Sequence, residues 1–186
     1  MGKVKFGLSG FEYGKLSAND TVAVTKKIPG IKSAKLELTN ELLTISADDG
    51  PYAVISAGIT DAKLDVEMLD LNSGARKDFY NIEVVDGIEK YNKNFNPNDV
   101  AVMFRTRMED GKYIWVGLLK GKFNLPGMDL STKEGTPDPK TDSTTGNFVA
   151  RGDAEKGDVL YIGREDNEGF SLDTFRKMVF PPVVGG

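Results

Sequence analysis

The chain contains no cysteine and no histidine among its 186 residues. Without thiolate or imidazole it cannot assemble a cysteine nucleophile, a Ser-His-Asp triad, a disulfide or the common zinc sites. Carboxylate, lysine and hydroxyl chemistry remain. No run of side chains approaches the roughly 20 apolar residues of a transmembrane helix. The start, Met1-Gly2-Lys3-Val4-Lys5-Phe6, has neither the apolar stretch of a secretory leader nor the Ser or Thr of a myristoylation pattern. These absences predict a protein made and folded in a cytoplasm, away from membranes. An excess of positive charge is missing too. The 24 Lys and Arg against 28 Asp and Glu leave a net charge of -4, which argues against the basic stripe of a sequence-specific DNA binder.

What is present points to strands. The length suits one domain with one core, and 21 glycines recur with other turn signals between short alternating runs, as in an all-β sandwich or barrel. Ala34, Leu36 and Leu38 alternate with Lys35, Glu37 and Thr39, and Ala62, Leu64, Val66 and Met68 alternate with Lys63, Asp65 and Glu67. Each is a period-two pattern with one apolar and one charged face, and the two runs are expected to pair in one sheet. Between them, residues 42–47 and 52–57 flank Asp48-Asp49-Gly50-Pro51, which reads as a turn or a projecting hairpin. Residues 100–108 and 112–123 form a second hairpin through Asp110-Gly111, a dipeptide suited to a type I′ turn. There Tyr113, Trp115 and Leu119 share one face and Ile114, Val116 and Leu118 the other. A strand apolar on both faces is buried on both or waits for a partner.

Helix signals are sparse. Ser73 is the expected N-cap of a segment carrying Ala75, Phe79 and Ile82, with Leu71 as a staple. Residues 171–179 fit a helix with Leu172, Phe175 and Val179 on one stripe, or an extended strand. The polar, proline-containing residues 129–146 read as a long loop. Residues 147–150 and 159–162 read as a returning pair.

Several chemistries are weighed on the residues alone. The pairs Asp48, Asp49 and Asp65, Glu67 offer two carboxyls of the kind used in glycoside hydrolysis, although 28 acidic residues make such pairs frequent by chance. Asp138, Asp142 and residues 153–158 offer oxygen ligands for calcium, without the EF-hand spacing. Gly7-Leu8-Ser9-Gly10 lacks the Lys-Ser/Thr of a phosphate-binding loop. Phe6, Phe11, Tyr13, Tyr113 and Trp115 are candidates for a sugar-stacking platform, with core or oligomer-interface packing as the ordinary reading. No catalytic, cofactor-binding or metal-binding residue is assigned, and the chain is expected not to be an enzyme.

Taken in order, several segments resemble the major tail proteins of long-tailed, non-contractile bacteriophages (siphoviruses), which build the tail tube. These are Lys3 to Leu8 followed by Tyr13, Ile28-Pro29-Gly30, Ala47-Asp48-Asp49-Gly50 with Gly58, the strand ending at Asp70, Arg76-Lys77-Asp78-Phe79, and Phe170 to Phe175 with Lys177 to Phe180. The likeness is loosest over 131–146 and after Pro181. It implies a mainly β fold, a β-sandwich or partial barrel with one flanking α-helix, similar to type VI secretion tube proteins. The whole chain, 1–186, is then a single tail tube domain with an N-terminal arm (1–8), a flexible loop (129–146) and a C-terminal tail (180–186).

The resemblance further implies a virion protein assembled in the host bacterial cytoplasm, with hexameric rings stacked into a tube. Its partners would be itself, the tape measure protein, and the tail terminator and distal tail proteins. Viral DNA would pass non-specifically through the lumen, and no cofactor would be needed. As the outward residues of the two alternating strands, Lys35, Glu37, Lys63, Asp65 and Glu67 are the lumen candidates. Lys3, Val4, Phe6, Asp48, Asp49, Tyr52, Tyr113, Trp115 and Phe180 are the candidates for contacts between subunits and rings. A net acidic chain fits a tube that must not grip phosphates. The alternative from another class is a carbohydrate-binding β-sandwich.

Overall fold

The computed structural model describes residues 4–47, 50–127, 140–153 and 156–183. The elements run β1 (Lys5–Leu16), β2 (Val22–Lys27), β3 (Ile31–Ala47), β4 (Gly50–Met68), α1 (Ser73–Tyr80), β5 (Glu83–Val85), β6 (Ile88–Lys90), β7 (Val100–Met108), β8 (Tyr113–Phe123), β9 (Asp142–Phe148), β10 (Leu160–Arg164) and α2 (Leu172–Val179). The protein is mainly β, as its punctuation predicts. Eight strands form one antiparallel sheet in the order β2-β1-β7-β8-β9-β4-β3, with β10 on β8, and β5-β6 is a separate small hairpin.

The sheet curls until β1 approaches β3, and Ile28 donates its amide to the Phe11 carbonyl at 3.1 Å. Its concave side holds one cluster built from Phe11 and Tyr13 of β1, Leu64 and Val66 of β4, Val102 of β7 and Leu118 of β8. Helix α1 closes this cluster. Phe79 stacks on Phe123 with 4.7 Å between ring centroids and meets Tyr13 edge-on at the same separation, the offset and edge geometries that aromatic quadrupoles favour. Asn72, one residue before the expected Ser73, is the cap: its side chain accepts from the Ala75 amide at 3.0 Å. Asp142 then ties helix to sheet, accepting from the Leu71 amide at 2.8 Å and from Arg76 at 3.1 Å.

A second cluster lies on the opposite face of β7 and β8, where Ala101, Met103, Trp115 and Leu119 meet Phe175, Val179 and Phe180. Residues 171–179 therefore resolve in favour of helix, and two helices flank the sheet where one was expected. Ser171 caps α2, and Asp173 and Lys177 pair one turn apart at 2.6 Å. The doubly apolar β8 strand is thus covered on both sides by its own chain, the concave core on one face and α2 on the other. Two polar anchors hold α2 in place. Glu12, only 4% exposed, faces the Arg176 guanidinium with contacts of 3.0 and 2.7 Å. The shorter contact, at Oε2, lies off the hydrogen-bonding direction, so charge attraction dominates there. Arg151 donates to the Val179 carbonyl at 2.8 Å and to that of Met178, satisfying carbonyls at the helix end.

Three local expectations are corrected. The turn after β7 is a three-residue loop, Glu109-Asp110-Gly111, closed by Met108 and Lys112 at 2.8 Å, and of its Asp-Gly pair only Gly111 is left-handed (φ +84°). That is a type I turn with a bulge, not type I′. The expected loop 129–146 ends early, because Asp142 to Gly146 already belong to β9. Residues 147–150 and 159–162 do not pair as a hairpin. The long β8 takes β10 along Ile114–Leu118 and β9 along Gly121–Phe123, and among the described residues the two returning segments share an Arg151 to Asp158 bridge.

Gly117 on β8 leaves the room that Val179 of α2 occupies; a Cβ there would collide with the valine. Gly117→Val is expected to lower the urea midpoint by an amount equivalent to about 1–3 kcal/mol, the usual cost of overpacking. An unchanged midpoint would mean that α2 does not rest on β8.

Candidate assembly surfaces

The outward residues of the two alternating strands are brought together. In the β3–β4 register Lys35 lies opposite Asp65 and Glu37 opposite Lys63, and β9 sets Thr145 beside Asp65 and Ser143 beside Glu67. Alternation is the cause: Leu64, Val66 and Met68 turn into the core, so 63, 65 and 67 turn out. Ion pairs run along the strands and, from Lys32 to Glu67, between them. Lys35 meets Glu37 at 2.5 Å, Lys63 meets Asp65 at 3.3 Å and Lys32 meets Glu67 at 3.1 Å. Hydroxyls complete it, with Thr145 donating to Asp65 at 2.5 Å and Thr141 to Glu67 at 2.8 Å. Lys32, Thr141 and Thr145 were not among the candidates. The threonines lie next to or on β9, in a stretch whose polar, proline-containing composition reads as loop.

The carboxylates titrate low. Asp65 lies below the ordinary aspartate value chiefly because Thr145 donates to its ionised form, with Lys63 adding to this. Glu67 is lowered by Thr141 and then Lys32, and Glu37 by the hydrogen bond and charge of Lys35. Both members of the Asp65, Glu67 pair are thereby held ionised, the opposite of what a general acid in glycoside hydrolysis needs.

The hairpin expected around residue 50 projects. Strand β9 accompanies β4 from Met68 to Ala62; beyond that, among the described residues, β3 and β4 pair with each other alone. Asn40 pins the point of departure, donating to the Gly58 carbonyl at 2.6 Å and to Ser56 at 2.9 Å across a shift in register. Past it both faces are apolar and exposed. Leu43 (64% exposed) sits opposite Ile55, and on the other face Val54 sits opposite Thr44, with Leu42 nearby. Tyr52 near the tip is 78% exposed. A two-stranded ribbon is marginal in water on its own, and an apolar one in contact with solvent marks an interaction surface.

The other expected contact residues divide. Val4 and Phe6 are exposed, but the arm from Lys5 onward is strand β1, paired with β7 from Lys5 opposite Met108. Trp115 and Phe180, expected at an interface, are instead core residues under α2, the indole being 4% exposed and donating to Glu165 at 2.9 Å. Tyr113 is half-buried, with the Arg105 guanidinium 4.1 Å above its ring. Of the five sugar-stacking candidates, Phe11, Tyr13 and Trp115 are buried and Tyr113 is half-buried under Arg105, while Phe6 is exposed, so they form no shared platform. The tail is anchored at its start: Val22 donates to the Pro181 carbonyl at 2.8 Å and Pro182 bridges to Val22 in parallel. Lys3, Asp48, Asp49 and Asp138 lie outside the described residues.

Asp142 is engaged by Leu71 and Arg76, and Asp158 accepts from the Tyr161 hydroxyl at 2.8 Å. Among the described residues no three carboxylates converge as metal ligands, and no helix is long and apolar enough to cross a membrane. No protein-family model matches the chain, and no curated protein matches it.

Because their folded-state values are depressed, these carboxylates contribute stability that is present above their unfolded values and lost as pH falls through the folded ones. NMR titration is expected to place the Asp65 carboxyl below an ordinary aspartate, and Thr145→Val to move it back up. An unmoved midpoint would remove the hydroxyl as the cause.

Proposed function

We propose that this chain is the structural subunit of a bacteriophage tail tube, assembling into hexameric rings that stack around a lumen for DNA, with the curled sheet as a tube-type fold. The observation that carries the reading is the β3–β4 hairpin, apolar on both faces beyond the sheet and exposed in the single chain. Such a ribbon has a use where another copy covers it. In a stacked tube it reaches from one ring to the next, while the charged face of β3, β4 and β9 at its base looks into the lumen. The segment likeness to major tail proteins supports the same arrangement, and the tape measure, tail terminator and distal tail proteins are its expected partners. In such an obligate assembly, ring and stacking contacts together bury on the order of 2,000 Å² or more.

A soluble subunit with an exposed strand pair risks uncontrolled association. Register shifts between Thr39 and Leu42 interrupt the ladder at the base of the hairpin, where bulges of this kind raise the local twist. The chemistry asked of the protein is assembly alone: shape, apolar burial and charge placement, with no bond made or broken.

Negative-stain microscopy of the concentrated protein is expected to show hollow rings or tubes, and a strict monomer at every concentration would contradict the reading. The double variant Leu43→Glu, Ile55→Lys is expected to keep the circular-dichroism spectrum and melting temperature of the parent, because both side chains lie outside the core, and to abolish tubes. Tubes formed as efficiently by this variant would show that the hairpin is not the joining element.

A further inference from the structure

We propose that the outward face of β3, β4 and β9 is a self-neutralised surface for duplex DNA, on which the carboxylates serve to occupy the lysines. The inference rests on the tail tube reading, which puts a moving polyanion in front of this face, and goes beyond it by assigning how the face avoids holding that polyanion. The net charge of the chain does not explain this. The ion-paired charges on the face balance, Lys32, Lys35 and Lys63 against Glu37, Asp65 and Glu67, with Asp61 at the end of the same side of β4 adding one acid.

Two requirements conflict on such a surface. Lysines left open to a duplex bind its phosphates and release counterions, which holds the DNA. A wholly acidic face would repel DNA, but it would also set like charges opposite each other across neighbouring strands, which destabilises a sheet. The observed register meets both requirements. Opposite charges face each other across β3 and β4, Lys35 by Asp65 and Glu37 by Lys63. Each lysine also has a carboxylate oxygen within 2.5 to 3.3 Å, along its own strand for Lys35 and Lys63 and across to β4 for Lys32. The carboxylates are themselves fixed by donors that are not cations, Thr145 on Asp65 and Thr141 on Glu67. Hydroxyl donors hold those two acids in place without adding positive charge to the face, so a phosphate approaching Lys32 or Lys63 must compete with a carboxylate that a threonine also anchors.

The test is binding of a fluorescent 30-base-pair duplex to the purified subunit by anisotropy across a salt series. The parent and a control triple variant at exposed turns elsewhere, Asp86→Asn, Glu109→Gln, Glu168→Gln, are expected to bind weakly and alike. The face variant Glu37→Gln, Asp65→Asn, Glu67→Gln carries the same overall charge as the control. It is expected to bind at least tenfold more tightly, with a steeper salt dependence approaching a slope of about -2.7 for three released lysines. Adding Lys32→Ala, Lys35→Ala and Lys63→Ala to it should return binding to the parent level. Equal binding by control and face variants, or no gain in a face variant shown to be folded, would overturn the proposal. If the triple variant does not fold, Glu37→Gln with Glu67→Gln is read in the same way.

The tail tube reading is checked separately, on assembled protein. The chain has no cysteine, so Lys35→Cys gives a single labelling site. That site should resist a bulky maleimide in tubes and react in free subunits. Full reaction in tubes would place the face outside the lumen and sink that reading, whatever the anisotropy result.

Discussion

The proximal half of β4 is the constraint from which the rest of the structure follows. Along residues 62–68 the chain alternates strictly, and burial of Ala62, Leu64, Val66 and Met68 decides which way every other residue points. A slip of one residue would drive Lys63, Asp65 and Glu67 into the core and expose Leu64 and Val66. That cost locks the register against both β3 and β9, and the locked register sets the charge pairs opposite each other. The same strand continues past Ala62 as one side of the projecting hairpin. One pattern therefore positions both the balanced face and the apolar ribbon, and fixes the distance between them.

How much of this was legible in the sequence depended on how local the signal was. The two alternating strands, their pairing and a hairpin between them follow from period-two patterning and the turn signal at residues 48–51, although Gly50 and Pro51 belong to β4 itself, opposite Ala47 and Ser46. The β7–β8 hairpin follows from Asp110-Gly111, although its turn type does not, because a three-residue loop and a two-residue loop share that dipeptide. Strand β9 was hidden. Asp-Ser-Thr-Thr-Gly-Asn carries almost no apolar alternation, and Thr144 and Gly146 pass as inward residues only because Tyr80 and Phe123 are there to meet them. Trp115 was misplaced for a related reason. A strand apolar on both faces says that something covers it, and only the tertiary fold shows that α2, distant in sequence, is that cover. The charged candidates were readable as one face, but the donors from Thr141 and Thr145 were not.

The two surfaces differ in a way that suits assembly. The sheet with its two clusters is an internally satisfied body: α1 is capped and tied to β9, and α2 is held by Glu12, Arg151 and the space above Gly117. Its outward charged face is satisfied as well, so it has little to gain from a partner. The hairpin is the unsatisfied part, with apolar side chains on two faces and no third strand among the described residues. In the proposed assembly, a subunit so divided would gain free energy mainly at the hairpin, and the ion-paired face would be left bare.

A cryo-EM reconstruction of the assembled protein tests this account most directly. It predicts sixfold rings with Lys35, Lys63 and Asp65 lining the lumen and Leu43 and Ile55 buried against a neighbouring subunit. A reconstruction with the charged face outward, or with the hairpin free in solvent, would contradict it.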